Sequence, residues 1–103
     1  MPPIDHEHLA RQTFGDADLA CELLMLFAGQ CRRLLPGIGD PALPRAERAD
    51  LAHTLKGSAL GIGAGSVAAA SAAVEEGFRG HGDPDLTPLA EAVAATLEAI
   101  AGA

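Results

Sequence analysis

The chain has 103 residues, a formal charge of −7 at neutral pH, three Phe and neither Trp nor Tyr. So acidic a balance argues against nucleic acid or an anionic membrane surface as a partner. No apolar run approaches the ~20 residues of a membrane span, and the opening Met1–Asp5 is not a secretory signal, so the cytoplasm is the expected setting. Apolar residues make up 49% of the chain and are mostly Ala and Leu, which are good helix formers. The composition predicts one all-helical domain over residues 1–103 with closely spaced helices.

In chain order, residues 1–3 are expected to fray. Ile4–Gln12 reads as a short helix with Asp5 and Glu7 in its first turn, where carboxylates complement the helix dipole. His6 and His8 on that helix point about 160° apart, so they cannot share a metal ion there and read as solvated side chains. The turn Phe14-Gly15 and the capping residue Asp16 start a long helix, expected to run to Leu35 and stop at Pro36-Gly37. Its apolar stripe is Leu19, Leu23, Leu26, Phe27 and Leu34, flanked by Ala20, Leu24 and Cys31. That arc is wider than the ~100° of an ordinary surface helix. It fits burial between two neighbours, exposure of one edge to a partner, or both. Cys21 and Cys31 lie ~15 Å apart along this helix, too far to bridge within it, and read as free thiols.

Gly37–Leu43 reads as a loop, and Pro44 fits the first position of the next helix, which runs to Ile62. Arg45, Glu47, Arg48 and Asp50 form its wet beginning. The glycines at 61, 63 and 65 mark a turn, and Ser66 is the expected N-cap of a helix to Arg79. Val67, Ser71, Val74 and Phe78 make that helix's core face, while Ala68, Ala69, Ala70, Ala72 and Ala73 let a neighbour come close. Gly80–Pro84 is a second loop, with His81 solvated. The last helix is expected over Asp85–Ile100, with the stripe Leu86, Leu89, Val93, Leu97 and Ile100.

The chemistry concentrates on the helix from Pro44 to Ile62. Leu51, Leu55, Ser58 and Ile62 share one side, and His53 stands about 160° from Leu51 and from Leu55. Around it on the outward side fall Ala49, Lys56, Gly57 and Leu60. A glycine inside a helix costs roughly 1 kcal/mol, and here it leaves the approach to the ring bare. Lys56 adds a mobile cation, and Leu60 an apolar contact for a docking partner. An exposed imidazole, an open approach and a nearby ammonium suit the carriage of a phosphoryl group. If the turn centres on Ala64, residue 75 stands level with residue 53. Glu75 could then accept a hydrogen bond from one ring nitrogen, fixing the tautomer and leaving the other nitrogen nucleophilic. The plainer alternative is an i,i+4 pair with Arg79, worth only ~0.3–0.5 kcal/mol.

The run His53-Thr-Leu-Lys56-Gly57-Ser58-Ala59, followed by Ile62-Gly63-Ala64, resembles the signature of histidine-containing phosphotransfer (HPt) domains. Phe14-Gly-Asp-Ala-Asp-Leu19 and Leu23–Phe27 are similar to the family's first long helix. The resemblance implies an antiparallel four-helix bundle, here with a short extra N-terminal helix. It also implies a monomeric phosphorelay intermediate, carrying phosphate on His53 between aspartate-bearing receiver domains of a two-component system. Lys56 would stabilise the phosphate and Glu75 orient the imidazole, at a position where the family often has Gln or Glu. Response-regulator receivers and a histidine kinase, in some cases a hybrid one, are the implied partners. Mg²⁺ would belong to the receiver, with no cofactor of the chain's own.

The sequence has no P-loop or kinase nucleotide motif, and Gly61-Ile-Gly-Ala-Gly65 follows no predicted strand. Other possibilities are a non-phosphorylated module that binds a receiver or kinase, and a metal-binding bundle using His6, His8, His81 and the cysteines. A third is an excised part of a hybrid kinase, although the initial Met favours a stand-alone protein.

Overall fold

Five helices organise residues 2–102, the part of the chain that the computed structural model describes. They are α1 (His6–Gln12), α2 (Ala17–Ile38), α3 (Arg45–Ile62), α4 (Gly65–Arg79) and α5 (Thr87–Ala101), and there is no strand among the described residues. The expected fraying of residue 1 lies outside the described residues. Contacts run from α2 to α3, α3 to α4, α4 to α5 and back from α5 to α2, with none across the diagonals. The four long helices thus form a bundle, and α1 lies against α2 and α3. The most extensive seam is α3–α4, where Ala49, Ala52 and Ala59 are fully buried and let the backbones approach.

The core draws Leu24, Phe27 and Cys31 from α2, Leu55 and Ile62 from α3, Val67, Val74 and Phe78 from α4, and Leu89 and Val93 from α5. Full burial of a side chain the size of Leu or Phe contributes about 1.5–3 kcal/mol. The core faces expected for α4 and α5 are the ones that pack, with Thr96 also buried and its hydroxyl donating to the Ala92 carbonyl at 2.8 Å.

Several local expectations need correction. The α2 helix does not stop at Leu35; it carries Pro36 within its last turn and ends at Ile38. Proline removes its own N–H from the ladder and crowds the carbonyl of the preceding turn, yet the final turn is held by other means. Ile38 is fully buried, Gly39 N–H donates to the Leu35 carbonyl at 3.1 Å, and Arg48 Nε donates to the Ile38 carbonyl at 2.8 Å. The buried stripe of α2 is also rotated from the expected one. Leu24, Phe27, Ala28 and Cys31 are buried, whereas Leu26 is 68% exposed and Leu19 lies at the surface. The cause is that α3 and α5 flank α2 on two sides, centring burial on the line between them. The same double cover, by α2 and α4, buries Ala49 instead of leaving it outward.

The beginning of α3 is less wet than expected. Arg45 and Arg48 are half-buried with their guanidinium carbons 5.6 and 4.3 Å from the Phe78 ring centroid. Arg45 also donates to the Gly77 carbonyl at 3.0 Å and pairs with Asp83, which fastens the α4–α5 loop.

Pro44 is the N-cap of α3, α1 begins after its N-cap Asp5, and α5 begins at Thr87, one turn end away from the expected bounds. Ala64, not Ser66, precedes α4. The reason is Gly63, which ends α3 in the left-handed conformation at φ 82°. Ala64 N–H then reaches back to the Ala59 carbonyl at 2.8 Å, as in a Schellman closure. A Cβ at Gly63 would stand 3.1 Å from the Asp5 carbonyl oxygen and 3.2 Å from His8 Cδ2. So α1 fits directly over this turn: Asp5 N–H donates to the Gly63 carbonyl at 2.9 Å, and His8 Nε2 bonds the Gly61 carbonyl at 3.2 Å. His8 is therefore part of the packing and not simply solvated.

Candidate functional site

Three residues of α3, Asp50, His53 and Lys56, recur at intervals of three and so line one edge of the helix. Because α4 runs antiparallel to it about the Gly63–Ala64 turn, Glu75 and Arg79 meet them in reverse order. Glu75 stands between His53 and Lys56: its Oε2 is 3.0 Å and its Oε1 3.2 Å from His53 Nδ1, and Oε1 accepts from Lys56 Nζ at 3.1 Å. Arg79 Nε donates to Glu75 Oε2 at 3.1 Å, and Arg79 Nη2 donates to Asp50 Oδ1 at 3.0 Å. The structure thus brings His53, Lys56 and Glu75 together, and the i,i+4 pair with Arg79 coexists with the histidine contact.

Exposure differs sharply across this group. The His53 side chain is 62% exposed and Glu75 only 13%. Burial alone would raise the Glu75 carboxyl, but hydrogen bonds from Lys56, His53 and Arg79 outweigh it and hold the group down at about 2. At neutral pH Glu75 is therefore a carboxylate, which can only accept. The ring must then donate from Nδ1, which leaves the lone pair on Nε2. Among the described residues Nε2 has no hydrogen-bond partner.

The approach to the ring is open. A Cβ at Gly57 would meet nothing within 4 Å, so packing within the chain does not require glycine there. Leu60 is 59% exposed one turn beyond Gly57. The α2 residues Leu26 and Met25 are also exposed, at 68% and 65%. Leu26 belongs to the wide apolar arc of α2, one edge of which is thus exposed.

Asp50 is the site residue that sequence reasoning did not connect. The register about Ala64 that sets residue 75 level with residue 53 also sets residue 79 near residue 50, and their opposite charges were the available signal. The other polar candidates lie elsewhere. His6 and His81 are exposed, and Cys21 is exposed on α2. Cys31 is buried, and burial pushes its thiol up to about 11. Among the described residues no group of three or more His, Cys, Asp or Glu side chains is placed to hold a metal ion, and no helix is long and apolar enough to cross a membrane.

In chemical terms the site offers a nucleophilic nitrogen facing water, an anion behind the ring to meet developing positive charge, and an ammonium beside it. A family model described as Hpt domain matches residues 22–103, a span holding His53, Lys56, Gly57, Leu60 and Glu75. Comparison with curated proteins gives no match, and neither does comparison with solved structures.

Proposed function

The chain belongs to the Hpt domain family, and from that premise we propose that it is a phosphorelay intermediate carrying a phosphoryl group on His53 between receiver domains. The observation that carries this reading is the His53–Glu75 contact, which commits Nδ1 to a buried-side carboxylate while the ring stays 62% exposed.

In the uptake step the Nε2 lone pair attacks the phosphorus of a receiver's aspartyl phosphate. An N–P bond forms while the P–O bond to the aspartyl carboxyl breaks, and the electron pair leaves with that carboxylate. Positive charge grows on the ring, and Glu75 meets it at Nδ1–H. Such transfers depend chiefly on positioning and charge neutralisation. Lys56 Nζ is close enough to turn from Glu75 toward the phosphoryl oxygens, Gly57 leaves room for the receiver's aspartate, and Leu60 gives it an apolar contact. Mg²⁺ comes with the receiver, the usual holder of the metal in such transfers.

Hpt domains are phosphocarrier modules and not kinases, so phosphate enters from a partner. We assign the partners as response-regulator receivers and a histidine kinase, in some cases a hybrid one. We also assign residues 1–103 to one functional unit, monomeric and working in the cytoplasm. Incubation with a phosphorylated receiver and Mg²⁺ tests the proposal. Acid-labile phosphate on the chain supports it, whereas stable binding without phosphate gain would assign the chain to a pure interaction module.

A further inference from the structure

The two cations, Lys56 and Arg79, and the two anions, Asp50 and Glu75, along the α3–α4 seam are not equivalent, and their geometry divides the work. Among the described residues Lys56 pairs with Glu75 Oε1 alone, through a flexible stem with 30% of the side chain exposed. Arg79 is held at two points, by Glu75 through Nε and Nη2 and by Asp50 through Nη2 at 3.0 Å. A guanidinium is a planar, permanently charged fork, while an ammonium is a point charge that can turn about its stem. Asp50 and His53 sit one turn apart on α3, so Arg79 ties α4 to α3 beside the ring itself.

We propose that Arg79, anchored by Asp50, is a positioning residue that keeps Glu75 on His53 Nδ1 while Lys56 turns away to the phosphoryl group. This rests on the phosphocarrier reading above. In the resting protein Lys56 and Arg79 share the neutralisation of Glu75. Once Lys56 engages phosphate, an unsupported Glu75 would face a new dianion and be driven from the ring. Arg79 remains, because Asp50 holds its far end away from the phosphate. Exposed ion pairs contribute little to stability, and Asp50 and Arg79 are 72% and 46% exposed, so stability does not account for the arrangement.

The test reads the His53 tautomer by ¹⁵N-edited NMR on unphosphorylated protein without any partner. Lys56→Ala, which mimics a lysine engaged elsewhere, is expected to retain the Nδ1–H form. Adding Arg79→Ala should convert it to a mixture of tautomers, and adding Asp50→Ala in its place should do so in part. Arg79→Lys on the same background should recover some of the Nδ1–H form, and circular dichroism should report unchanged helix content throughout. With Lys56 present, Arg79→Ala should slow phosphoryl uptake roughly tenfold, the lower end for loss of a charge-assisted hydrogen bond. The proposal is overturned if Lys56→Ala alone loses the Nδ1–H form, or if the Lys56/Arg79 double variant keeps it. Uptake by the wild-type chain is scored separately: a chain that shows the tautomer pattern but takes no phosphate would refute the carrier reading, and with it the role of Lys56, while the hold of Arg79 on Glu75 would stand.

Discussion

Glu75 Oε2 lies 3.0 Å from His53 Nδ1, although 22 positions separate the two residues in the chain. The contact depends on where α3 stops. Gly63 takes the left-handed conformation that few other residues adopt without strain, and α1 is seated on the resulting turn through Asp5 and His8. A turn one residue longer would move Glu75 off the level of the ring, so the chemistry at the site is set by backbone geometry about 15 Å away.

Removing the carboxylate should act on rate more than on folding. Glu75→Ala is expected to slow phosphoryl uptake on the order of ten- to a hundredfold, the scale of losing a charge-assisted hydrogen bond of about 1.5–3 kcal/mol. The melting temperature should fall as well, because the ion pairs of the carboxylate are lost, but the helical fold should persist. Quenched-flow transfer from a phosphorylated receiver checks the rate, and an unchanged rate would make Glu75 a bystander.

Acid should weaken the same network in a defined window. The Glu75 carboxyl is held at about 2 in the folded chain against an ordinary 4.5, so its folded value lies below its unfolded one. Its contribution to stability is then fully present above about pH 4.5 and is lost as pH falls toward about 2. In urea titrations the stability difference between wild type and Glu75→Gln should be largest near pH 5 and shrink steadily toward pH 2. A difference that stays constant across that range would contradict the assigned ionisation.

Gly57 separates folding from function in the opposite sense. Since a Cβ there meets nothing within 4 Å, Gly57→Ala should stabilise the helix by about 0.5–1 kcal/mol. It should also slow transfer by crowding the docked aspartate. Thermal melts and uptake rates measured together check both halves, and a destabilised or kinetically unaltered variant would count against an access role.

Ser71 offers a control away from the site. It is fully buried on α4, and among the described residues its hydroxyl has no hydrogen-bond partner. Ser71→Ala should raise stability by about 1 kcal/mol, the cost of a buried unsatisfied hydroxyl, while phosphoryl uptake stays at the wild-type rate. Loss of stability would mean that the hydroxyl is satisfied in solution.

Much of this organisation could be read from residue order. The spacing of Val67, Ser71, Val74 and Phe78 gives the buried face of α4, and the exposed side of α3 at His53 follows from Leu51 and Leu55. On α2 the width of the apolar arc matches cover from two sides with one edge exposed, but which residues form that edge, Leu26 and not Leu24, is set by where α3 and α5 lie, and nothing local to α2 says that. Pro36 does not end α2 as a local reading expects, because the buried Ile38 and the Arg48 contact that extend the helix are tertiary. Within the site, the pairing of His53 with Glu75 was accessible from the turn position alone. The Asp50–Arg79 bridge needed the same reckoning applied to charges that looked merely solvating, and the Lys56–Glu75 contact needed side-chain coordinates.

The most direct test is to locate the phosphoryl group atom by atom. Wild type and His53→Gln are incubated with a phosphorylated receiver and Mg²⁺, then examined by ³¹P and ¹⁵N NMR with helix content followed in parallel. The expected result is one acid-labile phosphoryl group on Nε2 of His53 in the wild type. The variant should be equally helical and take up none. Phosphate on another residue, on Nδ1, or on neither protein would contradict the account.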